Sequence, residues 1–76
     1  MVIVTAVSKK IGRRIRQIRE KTLIKGEKMT QEELAGEAGL NRAYIGYIER
    51  GERNPSTDTL VKIAKALKIS PKELLS

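Results

Sequence analysis

The segment Thr30 to Arg53, T-Q-E-E-L-A-G-E-A-G-L-N-R-A-Y-I-G-Y-I-E-R-G-E-R, constrains the fold of this chain more than any other part. Thr30 followed by Glu33 has the spacing of a capping box, and Gln31, Glu32 and Glu33 fill a first turn where carboxylates suit the helix dipole. Leu34, Ala35 and Ala38 form a short apolar face. Gly39 then supplies the positive φ that ends a helix. Leu40 is a buried turn residue in this reading. Asn41 caps a second helix with inward positions Ile45 and Ile48, and Gly51 stops it. Two short helices joined by a glycine-bearing turn make a helix-turn-helix, and the Ala35 methyl lets the second helix cross closely over the first.

The outward side of the second helix carries the functional signal. Arg42, Ala43, Gly46, Tyr47 and Arg50 fall away from Ile45 and Ile48, with Tyr44 at the flank. Ala43 and Gly46 remove bulk where a backbone can press against base edges. Arg42 stands in the first turn, where a recognition helix presents residues to bases, and arginine can bond both acceptors of a guanine. Either tyrosine can reach a phosphate or pack on a thymine methyl, and these two are the chain's whole aromatic complement. Arg50 alone fits a solvated surface equally well. The group fits a DNA groove.

Charge agrees. Among 76 residues, sixteen basic side chains against nine acidic ones give a net +7 and a pI near 10.1. That is the electrostatic footprint of a nucleic-acid binder, on a chain long enough for one domain with a thin core. With no cysteine there is no disulfide, thiolate zinc site or redox switch, as suits a reducing cytoplasm. With no histidine the usual general base and the commonest metal ligand are missing.

Elsewhere the chain reads as supporting helices. Met1 to Val7, M-V-I-V-T-A-V, is too short to span a bilayer and lacks the marks of a secretory signal. Its β-branched residues suggest an arm or short strand that pairs with its copy across a dimer; alternatively the run folds over the core as an extension of the first helix. Ser8 is read as the cap of a first helix ending near Lys21, with Ile11, Ile15 and Ile18 inward. Lys9, Lys10, Arg13, Arg14, Arg16 and Arg19 surround that stripe. Arg13 and Arg16 read as solvated, and Lys9 or Lys10 as lying near phosphates. Thr22 to Met29 reads as an insertion: either an extension of the first helix before a break at Gly26, or a basic loop beside DNA. Ser56 caps a fourth helix with inward Leu60, Ile63, Ala64 and Leu67. Ser70-Pro71-Lys72-Glu73 starts a last, short helix ending in Leu74 and Leu75.

At T-Q-E-E-L-A, A-G-L, Y-I-G-Y-I-E-R-G, R-N-P-S-T-D-T-L and A-K-A-L-K-I-S-P-K-E-L-L, the chain resembles the Cro/C1-type (Xre-like) helix-turn-helix family over roughly residues 9 to 75. Among its branches the restriction–modification controller proteins are the most similar in size and recognition-helix style. The resemblance implies an all-α, compact five-helix lambda-repressor-like DNA-binding domain over residues 8–76, with helices 2 and 3 as the helix-turn-helix and residues 1–7 as an arm. It implies a homodimer on a partly palindromic operator of double-stranded DNA. By that match Arg42, Ala43, Tyr47 and Gln31 read bases. Thr30, Asn41, Tyr44, Gly46, Arg50, Arg53 and Asn54 are backbone or flanking contacts. Arg19 and Glu49 match a buried structural ion pair. Ile69, Leu74 and Leu75 fall near the dimer interface, although Leu74 fits the monomer core equally well.

The expectation is therefore a cytoplasmic, sequence-specific transcriptional regulator of the controller type whose output follows its own concentration. It needs no cofactor, metal or small-molecule ligand and touches no membrane. Glu32, Glu33 and Glu37 could face RNA polymerase, but helix-start acids explain them as well. The alternative is an antitoxin that also captures a toxin, for which only residues 1–7 remain as spare chain. An enzyme is excluded by the lack of a Gly-rich phosphate loop or a nucleophile–base pair.

Overall fold

The structure, a computed structural model, describes residues 6–75. The first helix, α1 (Ala6–Lys21), buries Ser8, Ile11, Gly12, Ile15 and Arg19 along one face. It begins before Ser8, so Ser8 is no cap. Its side chain is buried inside the helix face, and its hydroxyl donates to the Asn54 side-chain carbonyl. Ala6 and Val7, assigned to the arm by sequence, belong to this helix, while Met1 to Thr5 lie outside the described residues.

The insertion after α1 is neither a longer helix nor a loose loop. It folds into a two-stranded antiparallel hairpin, β1 (Leu23–Ile24) and β2 (Glu27–Lys28), with Leu23 opposite Lys28 and Ile24 opposite Glu27. The two turn residues, Lys25 at φ 51° and Gly26 at φ 84°, are both left-handed, as a tight two-residue hairpin requires. The Met29 amide donates to the Thr22 carbonyl at 2.8 Å, closing the hairpin's base, and Met29 itself is buried in the core.

The next two helices are α2 (Gln31–Ala38) and α3 (Arg42–Glu49). Both capping-box bonds are made: Glu33 N–H to Thr30 Oγ1 at 3.0 Å, and Thr30 N–H to Glu33 Oε1 at 2.8 Å. Gly39, at φ 69°, ends α2 in the left-handed conformation, and Asn41 Oδ1 accepts from the Ala43 amide at 2.7 Å to start α3. The fourth helix, α4 (Thr57–Leu67), is capped by Ser56, whose hydroxyl accepts from the Thr59 amide at 3.1 Å.

The five-helix expectation needs correction. Among the described residues there are four α-helices and the hairpin, and in place of the expected fifth helix Pro71–Leu74 forms a single 3-10 turn. Four residues starting at a proline have too few carbonyl–amide pairs to propagate an α-helix. The turn's work is to bring Leu74 into a core with Ile11, Ile15, Met29, Leu34, Ala35, Ile45, Ile48, Ile63, Ala64 and Leu67.

Candidate nucleic-acid interface

Close contact between α1 and α3 fixes the orientation of α3. Gly12 lies where the two cross: a β-carbon there would stand 2.8 Å from the Glu49 carbonyl oxygen and nearer still to that of Ile48. Only glycine lets the backbones meet.

Two turns along α1, Arg19 locks the crossing. Its Nε donates to Glu49 Oε2 at 2.7 Å and its Nη2 to Glu49 Oε1 at 3.0 Å, while Nη1 donates to the Met29 carbonyl at 2.9 Å. The two side chains are only 10% and 2% exposed. The hydrogen bond to Glu49 raises the Arg19 pKa above the ordinary arginine range, against the opposing effect of burial. A third donor reaches the same carboxylate: Gln31 Nε2, from the first turn of α2, at 3.0 Å from Oε1. No described buried side-chain polar atom lacks a partner.

The outward side of α3 then presents a shallow cleft lined by Gln31, Arg42, Ala43, Gly46, Tyr47 and Arg50. All four residues assigned to base contact, Gln31, Arg42, Ala43 and Tyr47, thus share one concavity. Tyr47 is 40% exposed and has two guanidiniums over its ring, with Arg50 Cζ 5.2 Å and Arg53 Cζ 5.5 Å from its centroid. Arg50 also donates to Glu52 Oε1 at 3.0 Å, so part of its charge is balanced within the chain. A second depression, lined by Asn41, Ala43, Tyr44, Tyr47 and Arg53, adjoins the first on the same helix. Tyr44 is half-buried and packs on the core with part of its ring. The Thr30 hydroxyl and the Asn41 amide oxygen serve as caps, and the Asn54 amide oxygen accepts from Ser8. A small backbone at Gly46, two guanidiniums on one ring and an arginine in the first turn make a surface suited to a nucleic-acid groove.

The helix-turn-helix family model HTH_3 matches residues 15–74. The chain belongs to the Cro/C1-type helix-turn-helix family. Among relatives of this family, it is 50% identical to control protein C.BamHI of Bacillus amyloliquefaciens over 64 residues, 84% of this chain and 74% of that one. It is 46% identical to the immunity repressor protein of Bacillus phage phi105 over 59 residues, 78% of this chain and 38% of that one. Among solved structures, the restriction-modification controller protein C.AhdI from Aeromonas hydrophila superposes with a TM-score of 0.82 at 44% identity, covering 92% of this chain and 98% of that one. The helix-turn-helix chain is thus a transcriptional regulator whose relatives include controller proteins and a phage repressor.

Residues assigned to a dimer surface are not all at the surface of this Cro/C1-type domain. Leu74 is 1% exposed and belongs to the core, the second of its two sequence readings. Leu75 is 56% exposed and Ile69 half-buried. Sequence reasoning missed Gly12, Met29 and the Gln31–Glu49 bond. A glycine amid the isoleucine stripe of α1 was the available signal for the first. The other two depend on tertiary contacts.

Proposed function

We propose that this Cro/C1-type protein is a sequence-specific DNA-binding regulator that acts in the cytoplasm as a homodimer on a partly palindromic operator, and that it is a controller of restriction–modification genes. The observation that carries DNA reading is the cleft on α3, which Arg42, Tyr47, Arg50 and Gln31 line together with the small residues Ala43 and Gly46. Arg42, Ala43, Tyr47 and Gln31 contact bases. Thr30, Asn41, Tyr44, Gly46, Arg50, Arg53 and Asn54 lie against phosphates or flanking base pairs. Similarity to C.BamHI and C.AhdI supports the controller role. Ile69 and Leu75 contribute to the dimer surface. RNA polymerase is the further partner by which such a regulator would change transcription. Among the described residues no helix is long and apolar enough to cross a membrane, and no group of carboxylates is placed to hold a metal ion.

Selection of binding sites from random duplex DNA at fixed, near-physiological salt tests this reading. The expected result is enrichment of a palindrome with half-sites about one helical turn (~10 bp) apart. Salt-sensitive binding without enrichment would reduce the interaction to phosphate attraction and sink the proposal.

A further inference from the structure

The buried carboxylate of Glu49 does more than close an ion pair: it dictates which way round the Gln31 amide sits. Glu49 accepts from Arg19 at both oxygens, and Gln31 Nε2 donates to its Oε1 at 3.0 Å. An ionised carboxylate only accepts hydrogen bonds, so the amide must turn its nitrogen inward. The Gln31 carbonyl oxygen is thereby directed to the cleft side. It lies beside Gly46, where an added β-carbon would stand 3.8 Å from it. Gly46 places no side chain over that oxygen, and the Arg50 Nη1 lies 3.1 Å from the same β-carbon position.

With one Nε2–H spent on Glu49, the outer edge of the amide offers one acceptor and, next to it, the second Nε2–H as a donor. That pair complements the N6 amino donor and N7 acceptor on the major-groove edge of adenine. Guanine, with two acceptors at the same places, offers nothing to the carbonyl oxygen. Gln31 lines the same cleft as Arg42, so both side chains address one stretch of groove. We propose that Gln31 reads adenine in each half-site and that Glu49 is the positioning residue that fixes the orientation of its amide. The inference rests on the DNA-reading proposal above and specifies one of its contacts.

The consequence is a physical link between fold and specificity. Arg19 holds Glu49, Glu49 holds Gln31, and Gln31 meets the base. An amide free to flip would present donor and acceptor in either order, losing the distinction between the two strands of an A·T pair.

The test uses the full chain and an operator recovered by site selection. At the base pair whose preference disappears in Gln31→Ala, adenine is replaced by 7-deazaadenine, which removes the N7 acceptor, or by purine, which removes the N6 donor. Wild type should lose affinity with either analogue, and Gln31→Ala should not respond. Exchange of the adenine for another base should cost wild type about 5- to 150-fold. Glu49→Gln should weaken the preference at that pair more than the preference at the pair read by Arg42. Should Glu49→Gln fail to fold, the side-chain amide spectrum of the free wild-type protein decides the positioning role. One Gln31 Nε2 proton should be shifted downfield and protected from exchange, and its partner should not. Two Gln31 amide protons exchanging like those of a free glutamine would overturn the role of Glu49. An analogue response that persists in Gln31→Ala, or is absent from wild type, would overturn adenine reading. If the pair set by Arg42 stays selective through such a failure, only this inference falls; if no pair is selective, the DNA-reading proposal falls with it.

Discussion

The Arg19 guanidinium grips both oxygens of the Glu49 carboxylate, at 2.7 Å through Nε and 3.0 Å through Nη2, across the packed crossing of the first and third helices. Parallel N–H donors facing both carboxylate oxygens fix direction as well as distance. Because Glu49 ends α3, this pair fixes the rotation of Arg42, Tyr47 and Gly46 about the α3 axis. Its value is positional, since a buried ion pair is no more stabilising than a well-packed apolar pair.

Removing one partner is a different matter. Glu49→Ala or Arg19→Ala strands a charge in the core, and each should lower unfolding free energy by about 3–5 kcal/mol, read from urea denaturation. Arg19→Lys should rescue only part of the loss, because an ammonium cannot span two oxygens and reach the Met29 carbonyl as well. The pH dependence has a definite sign. The pKa of Arg19 is raised on folding, so its contribution is fully present below the ordinary arginine range and fades only as pH climbs through the raised value. Stability from this cation should therefore be flat through neutral pH, and a loss between pH 7 and 9 would contradict the assignment.

Two glycines on helices should respond to alanine in opposite directions. At Gly12 the new methyl would meet the backbone carbonyls of Ile48 and Glu49, so Gly12→Ala should cost at least about 1–3 kcal/mol and shift the reading helix. At Gly36 nothing lies within 4 Å of a β-carbon, and the φ is ordinary. Gly36→Ala should stabilise by roughly 0.5–1 kcal/mol through helix propensity. Paired thermal melts check both; equal shifts would mean that the helix crossing tolerates a methyl.

The helix-turn-helix could be read from sequence because its determinants are local: the Thr30–Glu33 box, Gly39, the Asn41 cap and the spacing of Ile45 and Ile48. The same periodicity set Arg42, Ala43, Gly46, Tyr47 and Arg50 on one side. The hairpin could not be read, because two residues per strand show no alternation, and Lys25 adopts a positive φ that a lysine does not announce. Ser8 was misassigned as a cap because its true partner, Asn54, is 46 residues away. The Gln31–Glu49 bond and the stacking of Arg53 on Tyr47 join separate elements in the same way. Only the fold brings them together.

Adjacent leucines at the end of the chain should separate folding from assembly. Leu74→Ala should destabilise the protein by about 2–5 kcal/mol, since Leu74 is buried with Ile11, Ile15 and Ile63 in one core. Leu75→Glu places a charge on a residue that is 56% exposed, and should leave the monomer intact while weakening self-association. Sedimentation analysis across a dilution series reads the second effect. An unchanged dimer constant would move Leu75 out of the interface.

The Tyr47 ring organises cationic charge beside the α3 cleft. Tyr47→Phe keeps a face for Arg50 and Arg53, each contact being worth about 0.5–1 kcal/mol when exposed, while Tyr47→Ala frees both guanidiniums. Competition binding at fixed salt should show a modest loss for phenylalanine and a larger one for alanine. Equal losses would assign the effect to the hydroxyl rather than to the ring.

Arg42 provides the sharpest distinction between attraction and reading. It is exposed in the first turn of α3, with Ala43 and Gly46 keeping the surrounding surface low, so a base edge can come within reach of its guanidinium. A bidentate bond to guanine is worth about 1–3 kcal/mol against the wrong base, whereas a phosphate contact is blind to sequence. Arg42→Ala should therefore lower affinity for the operator by that amount, relax preference at one base pair per half-site, and leave affinity for random DNA little changed. Arg42→Lys keeps the charge without the planar fork, so it should hold affinity for random DNA and still fail to restore selectivity. Equal losses on operator and random duplexes would make Arg42 a phosphate contact, and sequence reading would then have to come from Gln31 and Tyr47 on either side of it.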